Sequence, residues 1–291
     1  MSAARDCWAE WLAERRFGGD PETRERFLSN LAVTRERVLD GARLGEGEAL
    51  LDVGCGEGLI GFGALFRGAR SVTFSDISSD LLDVCREAAG DLGVLDRCVF
   101  IEASADDLSA IADASADVVT TRSVLIYVKN KAGAFSEFAR VLRPGGRLSL
   151  FEPINRFAQH EANTWGGYDL TPVADIAAKI KAIYERLQPR SDPMLDFDER
   201  DLVRLAEHAG FFPINLNLDA VIEATSPRAW HGFLNSAGNP RIPTFAEAME
   251  QALTAPESEQ LTAHLRPLVE QGRGVWRMAY AHLVATKPER P

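Results

Sequence analysis

The chain has 291 residues, 46% of them hydrophobic, and a formal net charge of −11. That length suits one large α/β domain, or a domain with an appendage, around a sizeable core. The acidic balance argues against an anionic membrane as partner and disfavours nucleic acid without excluding it.

The four cysteines, Cys7, Cys55, Cys85 and Cys98, form no C-x-x-C pair and read as small residues spread through the core. Neither a signal-peptide pattern nor an apolar run of bilayer length is visible, which predicts a reduced, cytoplasmic protein. Residues 1–48 read as an amphipathic helical cap, with Trp8, Trp11, Leu12 and Arg15 at helical spacing. Gly18-Gly19-Asp20-Pro21 breaks the run, and a second helix through Phe27, Leu31, Val38 and Leu39 leads to a loop at Gly45–Gly47. An apolar strand, Ala49–Val53, then meets glycines at alternate positions, Gly54, Gly56 and Gly58, with Asp52 just before them. Glycine lets the backbone turn sharply and approach a ligand closely, and a carboxylate at the strand end suits a ligand with positive charge.

This D-x-G-x-G-x-G run resembles the nucleotide loop of the class I S-adenosylmethionine (SAM)-dependent methyltransferases. The spacing differs from the G-x-G-x-x-G of dinucleotide dehydrogenases. The resemblance implies SAM as cofactor, held by Asp52, Gly54, Cys55, Gly56 and Gly58, with S-adenosylhomocysteine as product. It also implies that helices ahead of the loop cover the cofactor; for Trp8 and Trp11 plain packing is an equal alternative. A helix over Leu59–Phe66 and a strand from Ser71 follow, ending at Asp76, about twenty residues past the loop, where doubly wound folds place a ribose-binding carboxylate. Ile77 accompanies it, and Ser78 or Ser79 should cap the next helix, Leu81–Ala89. After a third strand, Arg97–Ile101, the family's adenine-contacting turn maps onto Ser104 for the side chain and Ala105 for the backbone N–H. Ser104 departs from the usual acidic residue, and Asp106 could substitute.

Asp117–Arg122 reads as the fourth strand, with Arg122, Ser123 and Tyr127 at its carboxyl end, where open α/β sheets bind ligands. A helix over Lys131–Leu142, an R-P-G-G-R turn at 143–147 and a strand, Leu148–Phe151, ending at Glu152 complete a β-α-β-α-β-α-β-α-β pattern. The run VLRPGG before an apolar strand adds to the family resemblance. The fold class is therefore α/β: a Rossmann-like, seven-stranded, mostly parallel sheet with a helical N-terminal cap and helical insertions.

Beyond that core the SAM-binding domain is expected to span 49–287, with a lid insertion at 153–197 and a helical insertion at 224–272. The lid collects Asn155, Arg156, Phe157, His160, Trp165 and Tyr168, then a helix begun by Thr171-Pro172 with Val173, Ile176, Ile180, Ile183 and Leu187 on one face. Asp198–Ala209 is a capped helix stopped by Gly210, and Phe212, Ile214, Leu216 and Leu218 alternate with polar residues as the sixth strand. The second insertion shows helix starts at Ser226-Pro227, Thr244 with Glu247, and Thr254 with Glu257, with Pro267 ending or kinking the last. Strand seven is Val275–Ala285. The second insertion could wall a substrate pocket or serve a homodimer.

Methyl transfer needs alignment of nucleophile, methyl and sulfur, and sometimes a base, but no fixed triad. The candidate bases are His160, Glu152 and Tyr127, with His231 a further choice and His208 structural. Arg122 is assigned to the cofactor. Tyr127, Arg156, His160, Trp165, Tyr168 and Trp230 are assigned to substrate, although Arg122 and Arg156 could equally be salt-bridged. No metal cluster is evident. The sequence thus points to methyl transfer onto a small-molecule metabolite or natural-product intermediate. Its alternatives are a SAM-fold protein repurposed for cyclisation or cofactor sensing, a dinucleotide dehydrogenase, and a protein or RNA methylase.

Overall fold

The computed structural model describes residues 5–158 and 163–289. Two compact units divide the described residues: one within Met1–Leu28, Asn155–Asp196 and Ala220–Ala279, the other within Ser29–Ile154, Phe197–Asp219 and Tyr280–Pro291. None of the described helices is long and apolar enough to cross a membrane.

The second, sheet unit is built from alternating strands and helices: β1 (Ala49–Val53), α3 (Leu59–Phe66), β2 (Ser71–Asp76), α4 (Ser79–Asp91), β3 (Cys98–Glu102), β4 (Ala116–Arg122), α5 (Lys131–Val141) and β5 (Leu142–Pro153). With α7 (Glu199–His208), β8 (Ile214–Ala224) and β9 (Val275–Thr286), the sheet order is β3-β2-β1-β4-β5-β9-β8. β1 pairs in parallel with β2 and β4, whereas β9 runs antiparallel to β5 from Arg147↔Thr286 to Pro153↔Tyr280. All five residues of β1 are buried, as a strand covered on both faces requires.

The core beneath the glycine loop packs Phe74 between Phe62 and Phe100, with ring centroids 5.0 and 5.4 Å away. Gly61 of α3 lies against that stack, and a Cβ there would overlap the Phe74 ring. Ser78 caps α4 by accepting from the Leu81 N–H at 3.1 Å, and Asp198 with Asp201 forms the capping box of α7. Buried thiols occur at Cys55 and Cys85, but Cys7 is exposed and Cys98 only half-buried, so the cysteines are not all core residues.

The helical unit contains a short helix α1 (Cys7–Glu10), continued by a π-helical turn, together with α6 (Ala174–Leu187), α8 (Trp230–Leu234), α9 (Phe245–Ala252) and α10 (Ala255–Glu270). α2 (Pro21–Gly41) begins in this unit. Its core draws Tyr168, Val173, Ile176 and Ile180 together with Phe233, Phe245, Leu261 and Leu265. Trp11 is buried and donates its indole N–H to the Ala237 carbonyl at 2.8 Å, so its packing partner is a distant loop of the same unit.

Several boundaries differ from expectation for local physical reasons. A two-residue Gly166-Gly167 turn, with φ of 55° and 88°, joins β6 (Thr164–Trp165) to β7 (Tyr168–Asp169), a hairpin in place of irregular chain. The R-P-G-G-R segment is drawn into β5, whose register against β4 slips between Ala116 and Val118. Leu187 ends α6 43% exposed, just ahead of Pro189. Phe212 precedes β8 and its side chain is 76% exposed, although its N–H still donates to the Thr286 carbonyl at 2.8 Å.

At Ser226-Pro227 no helix forms. Thr225 N–H donates to Gly274 at 3.1 Å and Arg228 N–H to Val269 at 3.2 Å, so helix begins only at Trp230. Pro267 does not end α10, which runs on to Glu270 because Leu261, Leu265 and Val269 bury one stripe across it.

Alanine usually favours an exposed helix over glycine by about 1 kcal/mol, but overpacking a filled core costs about 1–3 kcal/mol. Gly61→Ala should therefore lower stability, whereas Gly90→Ala, with open space around its Cβ, should raise it slightly. Urea unfolding of both variants checks the pair; a stabilised Gly61→Ala would contradict the packing described.

Candidate functional site

Because β3, β2, β1 and β4 are neighbours in the sheet, their carboxyl ends bring four separated stretches of sequence to one edge. Asp52, one residue before the end of β1, is buried. One oxygen accepts the Gly61 N–H at 3.0 Å and the other the Thr120 hydroxyl at 2.9 Å. Gly61 lies in the first turn of α3, where N–H groups lack helical partners, so Asp52 completes the helix start and ties it to β4. Thr120 was not singled out from sequence, where it sits in an ordinary β-branched run.

The loop that follows is left-handed at Gly54, Gly56 and Gly58. A Cβ on Gly54 would overlap Val124 and one on Gly58 would overlap Phe62, but Gly56 faces open space. The backbone at Gly56 is therefore the approachable part of the loop. Asp76 stands beside it, accepting the Gly56 N–H at 2.9 Å and the Ser78 N–H at 3.0 Å. The Asp76 carbonyl in turn accepts the Ala103 N–H at 3.0 Å, which draws the turn after β3 to the end of β2. In that turn the Ser104 hydroxyl bonds to Asp106 and Ala105 is buried; Ile77, just after β2, is 47% exposed. Cys55 faces inward; hydrogen bonding with Cys85, then burial, pushes its thiol pKa well up, which suits packing rather than reactivity.

At the end of β4, Ser123 adopts φ of 57°, an unusual conformation for a non-glycine residue. The turn that follows sends the N–H groups of Val124, Leu125 and Ile126 onto the buried Glu152 carboxylate at 2.9, 3.0 and 3.4 Å. Glu152 thus organises a backbone turn, a role its sequence position alone did not reveal. Arg122 adjoins this turn with no hydrogen bond or ion pair among the described residues. Burial pushes its pKa down, and the charges of Asp52 and Glu152 act in the opposite sense. Tyr127 is half-buried at the same strand end.

The other expected residues fall in the helical unit. Trp165 packs on Tyr184 at 4.4 Å, Tyr168 is buried and meets Phe233 edge-on at 5.9 Å, and Trp230 stacks on Phe233 at 5.5 Å. Arg156 is exposed on a short 3-10 turn. His231 is exposed and His208 lies on the exposed side of α7. His160 lies outside the described residues.

Residues 51–150 match the family described as Methyltransferase domain. With the sheet order and glycine loop, the match supports a class I SAM-dependent methyltransferase. A ubiquinone/menaquinone biosynthesis C-methyltransferase of Haemophilus ducreyi is 29% identical over 208 residues, 66% of this chain and 75% of that protein. The tRNA 5-carboxymethoxyuridine methyltransferase of Escherichia coli is 27% identical over 241 residues, 82% of this chain and 80% of the other. Among solved structures, geranyl diphosphate methyltransferase in complex with SAM shares the fold at a TM-score of 0.54 and 16% identity, covering 92% of both chains. SpnF, a 4+2 cyclase, shares it at 0.52 and 20%, covering 88% of this chain and 81% of that one.

The two buried carboxylates make stability depend on pH. Burial is the largest cause that pushes Asp52 and Glu152 up to about 7. The folded state therefore retains protons that the unfolded chain releases from about pH 4, and their contribution is lost as pH rises through about 7. His282 acts oppositely, lowered by burial to about 4, so its contribution is present above its ordinary 6.5 and lost on acidification. Between about pH 6 and 8 the carboxylates dominate, each on the order of 1 kcal/mol. The thermal midpoint of the ligand-free protein should fall across that range, and Asp52→Asn should remove roughly half of the slope. A flat or rising wild-type midpoint would count against this account.

Proposed function

We propose that the edge formed by β1, β2, β3 and β4 holds SAM and that the acceptor is a small molecule. The observation that carries this reading is the pairing of Asp76 with the open, left-handed Gly56. A carboxylate can accept from both ribose hydroxyls of a nucleoside at once, and Asp76 stands where the Gly56 backbone lies open to such a ligand. Arg122 fits the methionine carboxylate, because a half-buried guanidinium without a side-chain hydrogen bond gains from such a partner. Ser104 and the Ala105 N–H are assigned to the adenine, and Tyr127 to the acceptor.

When bound, SAM supplies an electrophilic methyl on its sulfonium for in-line displacement. The chain's part is to fix orientation. Asp52 and Glu152 hold the loop and the β4 turn through backbone N–H groups, so the glycine backbone and Arg122 are positioned before ligand arrives. With three backbone donors on it, Glu152 serves as an anchor in this reading, and Tyr127 is the base where one is needed.

The ubiquinone/menaquinone relative supports a small acceptor. The tRNA enzyme, aligned over more of the chain, supports a nucleic-acid acceptor as a second reading, against which the charge of −11 weighs. Calorimetry with S-adenosylhomocysteine should give micromolar affinity, weakened at least tenfold by Asp76→Ala. Transfer of labelled methyl to a metabolite extract but not to total tRNA supports the first reading, and the reverse the second. Failure to bind either SAM or S-adenosylhomocysteine would overturn the proposed cofactor site.

A further inference from the structure

Within the helical unit, a cavity of about 860 Å³ lies among the β6–β7 hairpin, the end of α6, the segment 236–243 and the start of β9. Small-molecule sites commonly occupy about 300–1,000 Å³. One wall is aromatic: Trp165 packs between Tyr184 and Phe245 at 4.4 and 5.4 Å, and Phe233 lies 5.2 Å from Phe245. Such a surface suits a flat apolar body, whose ring stacks or meets ring edges favourably.

The charge lining this space reverses that of the chain. Lys181, Arg190, Arg228 and Arg277 all line it, with Glu185 the sole carboxylate among the described lining residues. The whole protein carries −11, so composition alone would not gather four cations here. Arg228 is the most constrained of them. It donates to the Gly232 carbonyl at 2.8 Å and to that of Phe17 at 3.4 Å, while its Nε is buried without a hydrogen bond. Asp20, 3.8 Å from that nitrogen, already accepts from Glu22, from the Thr23 N–H and from the Thr23 hydroxyl. Burial pushes the pKa values of both Arg228 and Lys181 down.

We propose that this cavity binds a planar aromatic or conjugated carboxylic acid, its ring on the Trp165 wall and its carboxylate among the cations. An arginine fork accepts a carboxylate through two parallel N–H bonds, which gives orientation as well as attraction. Binding of this kind is independent of whether the ligand is methylated, so it stands apart from the function proposed above.

The test is calorimetric titration of the full chain with 2-naphthoate and with 2-naphthalenemethanol, its neutral counterpart. The acid should bind at least tenfold more tightly, and its affinity should fall as salt is raised. Lys181→Gln and Arg277→Gln should each weaken naphthoate binding about fivefold or more while leaving S-adenosylhomocysteine affinity unchanged. Arg190→Gln, at an exposed side chain, keeps the test decisive should either of the others unfold. Equal binding of acid and alcohol, no binding of naphthoate, or undiminished affinity in the folded variants would overturn the proposal.

Discussion

Near the end of β1, the Asp52 carboxylate has been taken almost wholly out of water, an arrangement that is costly unless hydrogen bonds replace the lost solvent. Its two partners are what make it structural. Gly61 is an orphan donor at the start of α3, and Thr120 belongs to the neighbouring strand, so one side chain joins three elements. The loop Gly54–Gly58 has to cross between those fixed ends in a few residues, and left-handed glycines are how it does so. Asp76 then inherits its position from the loop through Gly56, and the turn after β3 inherits its own from the Asp76 carbonyl. A disturbance at Asp52 would thus reach every part of that sheet edge.

Glu152 repeats the device on the far side of β4. There too a buried carboxylate gathers backbone N–H groups, and the strained φ of Ser123 is tolerated because the convergence on Glu152 offsets it. Arg122 lies in the field of both carboxylates without a hydrogen bond to either. Two buried acids with pKa values raised to about 7 and one half-buried guanidinium form a group whose charge state is sensitive to any ion placed beside it. For methyl transfer, which asks chiefly for alignment, such rigidly held backbone matters more than a reactive side chain.

The β-α core was readable because its signals are local. β1 and α3 have the bounds predicted from their apolar runs and glycines, and α7 begins at the expected cap, Asp198. α4 is capped by Ser78, one of the two serines offered for that role, and starts at Ser79, two residues ahead of the predicted start. The deviations arise where a distant partner overrides local propensity. Ser226-Pro227 has a helix-start signature, yet Gly274 and Val269 take the neighbouring N–H groups. Pro267 has a helix-stop signature, yet a buried stripe at i, i+4 and i+8 holds α10 together. The Gly166-Gly167 hairpin is the exception: its two-residue turn is a local signal, set among aromatics that suit a lid equally well.

Net charge is a sum over the whole surface and carries no information on where opposite charges are concentrated. That limits the sequence-level argument from acidity, which holds for extended polyanions such as nucleic acid or membrane but not for a small anion in a cavity. Lys181, Arg190, Arg228 and Arg277 are spread over nearly a hundred residues of sequence, with no run or spacing to mark them. They meet because residues 155–196 and 220–279 fold into one unit, a fact set by packing among Ile176, Ile180, Phe233 and Phe245 rather than by anything periodic in either segment. A cluster of this kind is least visible in the segments that depart most from the common fold, where residues become neighbours only through tertiary structure.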